Sequence, residues 1–90
     1  MSADQEKIMR VFVRDGRIVQ MPAKPSRRRV LLEHVAAAFE PGVRYPEREV
    51  DAILRAFFDD HAALRRYLVD EQLLSREAGI YWRTGGPVDV

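Results

Sequence analysis

The sequence predicts a small α+β domain: a winged helix-turn-helix of three helices and a C-terminal β-hairpin wing, with an extra N-terminal β-hairpin. Residues 45–84 carry two short amphipathic helical patterns followed directly by a hairpin pattern. Another helical pattern precedes them, and a strand–turn–strand pattern comes before that helix. We expect one domain at residues 8–84, between flexible ends at residues 1–7 and 85–90.

Composition restricts the class of protein. The 90 residues include no cysteine, so neither a disulfide framework nor a cysteine-based zinc site can form. No apolar run approaches the roughly 20 residues of a membrane-spanning helix, and the N-terminal MSADQEKIMR lacks the apolar stretch of a secretion signal. We therefore expect a cytoplasmic protein that does not associate with membranes.

Charge is distributed unevenly along the chain. The net charge is +1, but residues 1–30 carry eight basic and three acidic side chains, and the remaining sixty residues sum to −4. A basic first third favours an anionic partner for that part of the chain.

The N-terminal hairpin is predicted from Ile8 to Met21. Its first half is rich in β-branched and aromatic residues, and Asp15-Gly16 favours a two-residue hairpin turn. Pro22 ends the return strand because proline cannot donate to a β-ladder.

Apolar periodicity and capping residues predict the three helices. Ser26 is the expected N-cap of a first helix that ends near Phe39, and residues 43–45 form a short strand. Pro46 begins the second helix, and Asp59 is the expected N-cap of the third. The core stripes of the second and third helices are Val50, Ile53, Leu54 and Phe57, then Leu64, Tyr67 and Leu68.

The closing hairpin is predicted from two β-prone runs, residues 73–76 and 80–83, joined by a turn at residues 77–79. Tyr81 and Trp82 are neighbours in one strand and point to opposite faces. One of these rings should therefore be buried and the other partly exposed.

The third helix is the first candidate for DNA contact. Four residues lie opposite its core stripe: His61, Ala62, Arg65 and Arg66. Arginine makes bidentate contacts with guanine or phosphate, and a small alanine permits close approach. The alternative is a solvated helix face whose arginines pair with nearby acids. Asp59 and Asp60 favour this alternative, because carboxylates at the helix N-terminus would repel phosphates.

A basic cluster at the start of the first helix is the second candidate. Its members are Lys24, Arg27, Arg28 and Arg29. Cations in a first turn oppose the helix dipole, so the cluster indicates a phosphate or an acidic protein surface as partner. The alternative is that Arg29 pairs with Glu33, four residues later. Arg76 and Arg83 complete the predicted DNA-binding set, because a wing would lie near the minor groove or the phosphates.

Catalysis has little support in the sequence. His34 and His61 are the only histidines, and no zinc-protease, serine-hydrolase or phosphate-loop motif occurs. We expect a half-buried His34, no metal site, no cofactor and no enzymatic activity.

A series of short motifs runs through the second half of the chain: Tyr45-Pro46, Asp60-His61, Leu64-Arg65-Arg66, Leu68-Val69, Leu73-Leu74, Arg76 and Tyr81-Trp82-Arg83. The series resembles a bacterial domain-of-unknown-function family, whose members occur alone or fused to winged-helix regulators of the arsenic-repressor type. The resemblance covers roughly residues 16–83 and implies a regulatory context.

Together these patterns predict a transcription-associated protein that binds duplex DNA as a homodimer, through the third helix, the wing and the cluster at residues 27–29. A homodimer is expected because one small module seldom covers enough DNA for specific binding, and the N-terminal hairpin offers a free edge. The alternative is a winged-helix module for protein interaction or dimerisation, in which the same arginines bind an acidic partner.

Overall fold

The core consists of apolar side chains from three helices and two hairpins, in a computed structural model that describes residues 3–85. The architecture is α+β. Its helices are α1 (Ala3–Phe12), α2 (Pro25–Ala36), α3 (Glu47–Arg55) and α4 (His61–Asp70). Its strands are β1 (Val13–Arg14), β2 (Arg17–Ile18), β3 (Arg44–Pro46), β4 (Leu74–Glu77) and β5 (Ile80–Arg83).

The strands form two small antiparallel sheets. β1 pairs with β2, and the second sheet has the order β3-β5-β4. Tyr81 on β5 lies opposite Tyr45 on β3 and Arg76 on β4, so these three side chains share one face of the sheet. Tyr81 is buried and Trp82 is half-buried, which confirms the predicted division between the two rings. The Arg44 guanidinium lies 4.8 Å from the centre of the Trp82 ring.

The N-terminal strand predicted at residues 8–13 is wrong, because residues 3–12 form helix α1. Ile8, Met9 and Phe12 lie on one side of this helix and pack against the core. The first turn is acidic and the last turn contains Arg10, an arrangement that the helix dipole favours. Residues 3–7, expected to be a flexible end, belong to this helix, and the tail expected at 85–90 lies outside the described residues except for Gly85.

The N-terminal hairpin is shorter than predicted and spans only residues 13–18. Its turn at Asp15-Gly16 has φ angles of 53° and 78°, the positive values that a two-residue hairpin loop requires. The Ile18 N–H donates to the Phe57 carbonyl at 2.6 Å, and Arg17 forms an ion pair with Asp59. These contacts join the hairpin to the segment that connects α3 and α4.

The first predicted helix has different boundaries from those expected. Helix α2 begins at Pro25 with Lys24 as its N-cap, so Ser26 lies inside the helix instead of capping it. Proline suits this position because a first-turn N–H has no partner within the helix. The helix ends at Ala36, and Phe39 beyond it is fully buried.

The other two predicted helices and the closing hairpin are confirmed. Helix α3 begins at Glu47, one residue later than expected, because Pro46 is its N-cap, and the stripe on α3 packs into the core. The cap of α4 differs: the Asp60 carboxylate, not that of Asp59, accepts a hydrogen bond from the Ala63 N–H at 3.1 Å. Asp59 is used instead in the ion pair with Arg17.

Replacing Asp60 with alanine is expected to lower the free energy of unfolding by about 1 kcal/mol, because the cap hydrogen bond is lost. Urea denaturation followed by circular dichroism measures this change. The matched control is Asp70→Ala at the other end of α4, where an exposed side chain should change stability by less than about 0.5 kcal/mol. Equal stability of the two variants would contradict the assigned cap.

Candidate functional site

A surface groove lies between α4 and β4 and is called here the α4–β4 groove. Its volume is about 200 Å³, and it is lined by Ala62, Arg65, Arg66, Val69, Asp70 and Arg76. The structure therefore brings together three arginines of the predicted DNA-binding set, from two elements that are separate in sequence.

Helix spacing and sheet register create the groove. Ala62 and Arg66 are four residues apart and lie on the same face of α4. Arg76 lies opposite Tyr81 in the β4–β5 register, so it projects from the sheet face that carries the buried Tyr81 ring. The small Ala62 side chain leaves the space between the helix and the strand open.

Arg65 lies at the edge of this groove but is bound by acids of α3. Its guanidinium pairs with the Asp51 carboxylate, and its Nε lies 3.8 Å from Glu47 Oε1. The exposed fractions of the Arg65 and Asp51 side chains are only 22% and 18%. Glu47 also accepts a hydrogen bond from the Tyr81 hydroxyl at 2.8 Å, so Arg65 belongs to a network that joins α4, α3 and β5.

The pKa of Arg65 reflects two opposing effects. Burial lowers the pKa of this guanidinium, but the hydrogen bond to Asp51 and the charges of Asp51 and Glu47 outweigh burial and raise the pKa above its ordinary value. Arg65 is therefore a permanent cation whose charge is neutralised within the fold.

Arg66 and Arg76 differ from Arg65 because both are exposed. Within residues 3–85 neither side chain has an ion-pair partner or a hydrogen bond. Asp70 is the acidic residue among the groove-lining side chains. With Arg65 neutralised by α3, the groove presents two free guanidinium groups against one carboxylate.

The predicted basic cluster at the start of α2 lies outside this groove and is partly engaged by the fold. Arg29 binds Glu33 at 3.2 Å, which confirms the expected helical pair, and its Nη1 donates to the Glu71 carbonyl at 2.8 Å. The Arg28 guanidinium lies 4.6 Å from the centre of the Tyr67 ring. Lys24 and Arg27 are exposed to solvent.

The remaining predicted residues also lie apart from the groove. Arg83 donates to the Phe39 carbonyl at 3.2 Å and to the Gly85 carbonyl at 3.0 Å, so it supports the end of the hairpin. His61 is half-buried at the start of α4. His34, expected to be half-buried, is exposed, and its ring contacts the Phe57 ring edge-on with centroids 6.2 Å apart.

The acids that bind Arg65 were missed in the sequence, although a signal for them exists. Glu47 and Asp51 have the spacing of the α3 core stripe, because they alternate with the buried Val50 and Leu54 at positions i, i+3, i+4 and i+7. A carboxylate in an apolar stripe requires a cation nearby, and Arg65 supplies that cation from the next helix.

In the part of the chain that the structure describes, residues 3–85, no three His, Asp or Glu side chains lie close enough to hold a metal ion. None of its helices combines the length and the apolar character that crossing a bilayer requires.

Most of the chain matches the model of a known protein family. Residues 17–83 match the model of a family described as uncharacterised proteins conserved in bacteria, DUF2087. The chain belongs to the DUF2087 family. The range that matches DUF2087 runs from β2 to β5, so it includes the α4–β4 groove and the Arg65–Asp51 pair, whereas α1 and β1 precede it. No curated protein and no solved structure matches the chain.

Proposed function

We propose that this DUF2087 protein has a winged-helix fold and binds duplex DNA, in a transcription-associated role, through the α4–β4 groove. Element order and sheet topology support the fold. The order α2-β3-α3-α4-β4-β5 provides three helices with a short strand between the first two and a closing hairpin. The pairing of that short strand with β5 completes a three-stranded sheet. In such a fold α4 is the helix that enters the major groove.

One observation carries the proposal: Arg66 and Arg76 converge on one groove without acidic partners among the described residues. Guanidinium groups that the fold does not use are available for phosphate oxygens, to which arginine donates two parallel hydrogen bonds. Ala62 beside them permits close approach of a backbone. Arg65 has a different role in this proposal, because it holds α4 against α3 and thereby positions Arg66.

The two carboxylates at the start of α4 both make contacts within the fold. Asp59 is paired with Arg17, and Asp60 caps the helix. The negative charge of Asp59 is therefore partly compensated by the N-terminal hairpin, which lessens its repulsion of a nearby phosphate.

A salt titration of binding to random-sequence duplex DNA tests the proposal. The logarithm of the affinity should fall linearly with the logarithm of the salt concentration, with a slope of about −0.9 for each phosphate contact. Contacts by Arg66 and Arg76 predict a slope of about −1.8 or steeper. An absence of DNA binding at an ionic strength of about 0.01 M, where exposed charges are screened least, would refute the proposal.

A protein partner with an acidic surface is the second candidate, and the tip of the hairpin favours it. The Glu47 N–H donates to the Gly79 carbonyl at 3.0 Å, which holds the two-residue turn against α3. A wing held in this way adds little reach towards DNA. Binding of an oligoglutamate peptide with no binding of duplex DNA would favour this candidate, whereas binding of DNA alone would reject it.

A further inference from the structure

Strand β4 forms a free edge of the three-stranded sheet, since the order of this sheet in residues 3–85 is β3-β5-β4. On β4, Arg76 and Glu77 lie opposite Tyr81 and Ile80 of β5. The two-residue turn with positive φ angles makes Glu77 and Ile80 the hydrogen-bonded pair that closes the hairpin. Hydrogen-bonded and non-bonded pairs alternate along an antiparallel ladder, so the backbone of Arg76 does not bond to that of Tyr81. The backbone N–H and C=O of Arg76 therefore point to the free edge.

Arg76 also carries an exposed guanidinium beside this edge. Its side chain lines the α4–β4 groove together with that of Arg66, and neither has an ion-pair partner in residues 3–85. In a strand added along β4, the residue opposite Arg76 would exchange two backbone hydrogen bonds with Arg76. Side chains alternate between the two faces of a sheet, so the side chain of that residue would lie on the same face as that of Arg76. It would there reach the two free guanidinium groups.

The charges along β4 determine which strand can pair with it. Opposite charges at directly opposed positions stabilise an antiparallel pair, and like charges destabilise it. A second copy of this chain paired about Arg76 would set arginine against arginine, so β4 is not suited to pair with itself there. Glu77 lies on the other face of the sheet, where it would repel an acid of the added strand. The edge therefore fits a segment whose acidic side chains occur at every second position, with uncharged residues between them.

We propose that a partner protein adds an extended acidic segment to the β4 edge as an antiparallel strand, with its alternate carboxylates in the α4–β4 groove. In this mode of recognition, main-chain hydrogen bonds provide affinity and alternate side chains provide selectivity. β4 has four residues and is about 14 Å long, so the contact is small and should have a Kd between about 0.1 and 1 mM. The proposal does not depend on DNA binding, although both ligands would use Arg66 and Arg76 and would exclude each other.

Binding of a labelled peptide of alternating glutamate and threonine to the full chain tests the proposal, because threonine favours strands and the glutamates fit the groove. Fluorescence anisotropy at low ionic strength measures the affinity. Methylation of the glutamate backbone nitrogens is expected to weaken binding at least about tenfold, since in an antiparallel strand these N–H groups face β4. Methylation of the threonine nitrogens is the matched control. It leaves the charge unchanged and alters N–H groups that face away from β4, so this peptide should bind as the parent does.

Variants of the protein test the contribution of the groove. Arg66→Ala is expected to weaken peptide binding about tenfold, because one charge-assisted contact is lost. Arg55→Ala is the control, since Arg55 is exposed and does not line the groove. Duplex DNA does not pair with a strand edge, so the comparison of methylated peptides and the DNA titration can fail independently. The proposal is overturned if the parent peptide does not bind at a protein concentration of about 1 mM, if both methylated peptides bind equally, or if the two variants bind equally.

Discussion

Replacing Arg66 and Arg76 together with alanine is expected to weaken binding to duplex DNA about a hundredfold at low salt, since each charge-assisted contact is worth about a factor of ten. The two side chains are exposed and have no ion-pair partner among residues 3–85, so their removal leaves no buried charge unpaired. The salt slope should become shallower by about 1.8, which is the loss of two phosphate contacts. Fluorescence anisotropy of a labelled duplex at several salt concentrations measures both quantities.

The control for this variant removes two arginines from another part of the chain. Arg14→Ala with Arg55→Ala changes the net charge equally and affects exposed side chains that do not line the α4–β4 groove. A general electrostatic attraction would be weakened equally by the two double variants. A local groove contact is weakened by the Arg66/Arg76 variant alone. Equal loss of affinity in both variants would therefore contradict the groove as the binding surface.

The part of the fold that local patterns predict is the segment from β3 to β5. Its helices have clear apolar stripes, and its turn at Ala78-Gly79 adopts the two positive φ angles of a tight hairpin. Local patterns are sufficient there because each helix, strand and turn adopts the conformation that its own residues favour. The same is true of the short turn at Asp15-Gly16.

Helix α1 could not be predicted in this way because its sequence is ambiguous. Residues 8–13 alternate and are rich in β-branched and aromatic residues, yet Ile8, Met9 and Phe12 also fit one side of a helix. Packing against the core decides between the strand period of two residues and the helix period of about 3.6 residues. Packing contacts are not local in sequence, so the sequence pattern alone does not make this choice.

The roles of the arginines at the candidate site were even harder to predict from local sequence patterns. Periodicity identified Arg65 and Arg66 as neighbours on the outer side of α4, but it did not separate their roles. Asp51, which binds Arg65, lies fourteen positions earlier, and Glu71, which binds Arg29, lies 42 positions later. Partners at such distances depend on how the helices pack, so only the tertiary structure distinguishes a supporting arginine from a free one.

Because Arg65 supports the fold, the loss of its partner Asp51 should have a large effect on stability. Asp51→Ala is expected to lower the free energy of unfolding by about 2 kcal/mol, because it leaves the largely buried Arg65 guanidinium without its main partner. The cost is below the roughly 3–5 kcal/mol of a fully buried pair, since Glu47 remains 3.8 Å from Arg65 Nε. Urea denaturation gives the change in unfolding free energy.

Three comparisons make this result specific to the ion pair. Glu49→Ala removes an exposed acid from the same helix and should change stability by less than about 0.5 kcal/mol. Asp51→Leu combined with Arg65→Met removes both charges and should restore stability close to that of the wild type, because no largely buried charge is then left unpaired and the half-exposed Glu47 keeps its hydrogen bond from Tyr81. DNA affinity should not fall in Asp51→Ala, since Arg66 and Arg76 remain and one nearby carboxylate is gone. If Asp51→Ala were as stable as Glu49→Ala but bound DNA less well, Arg65 would be a direct DNA contact and not the residue that positions α4.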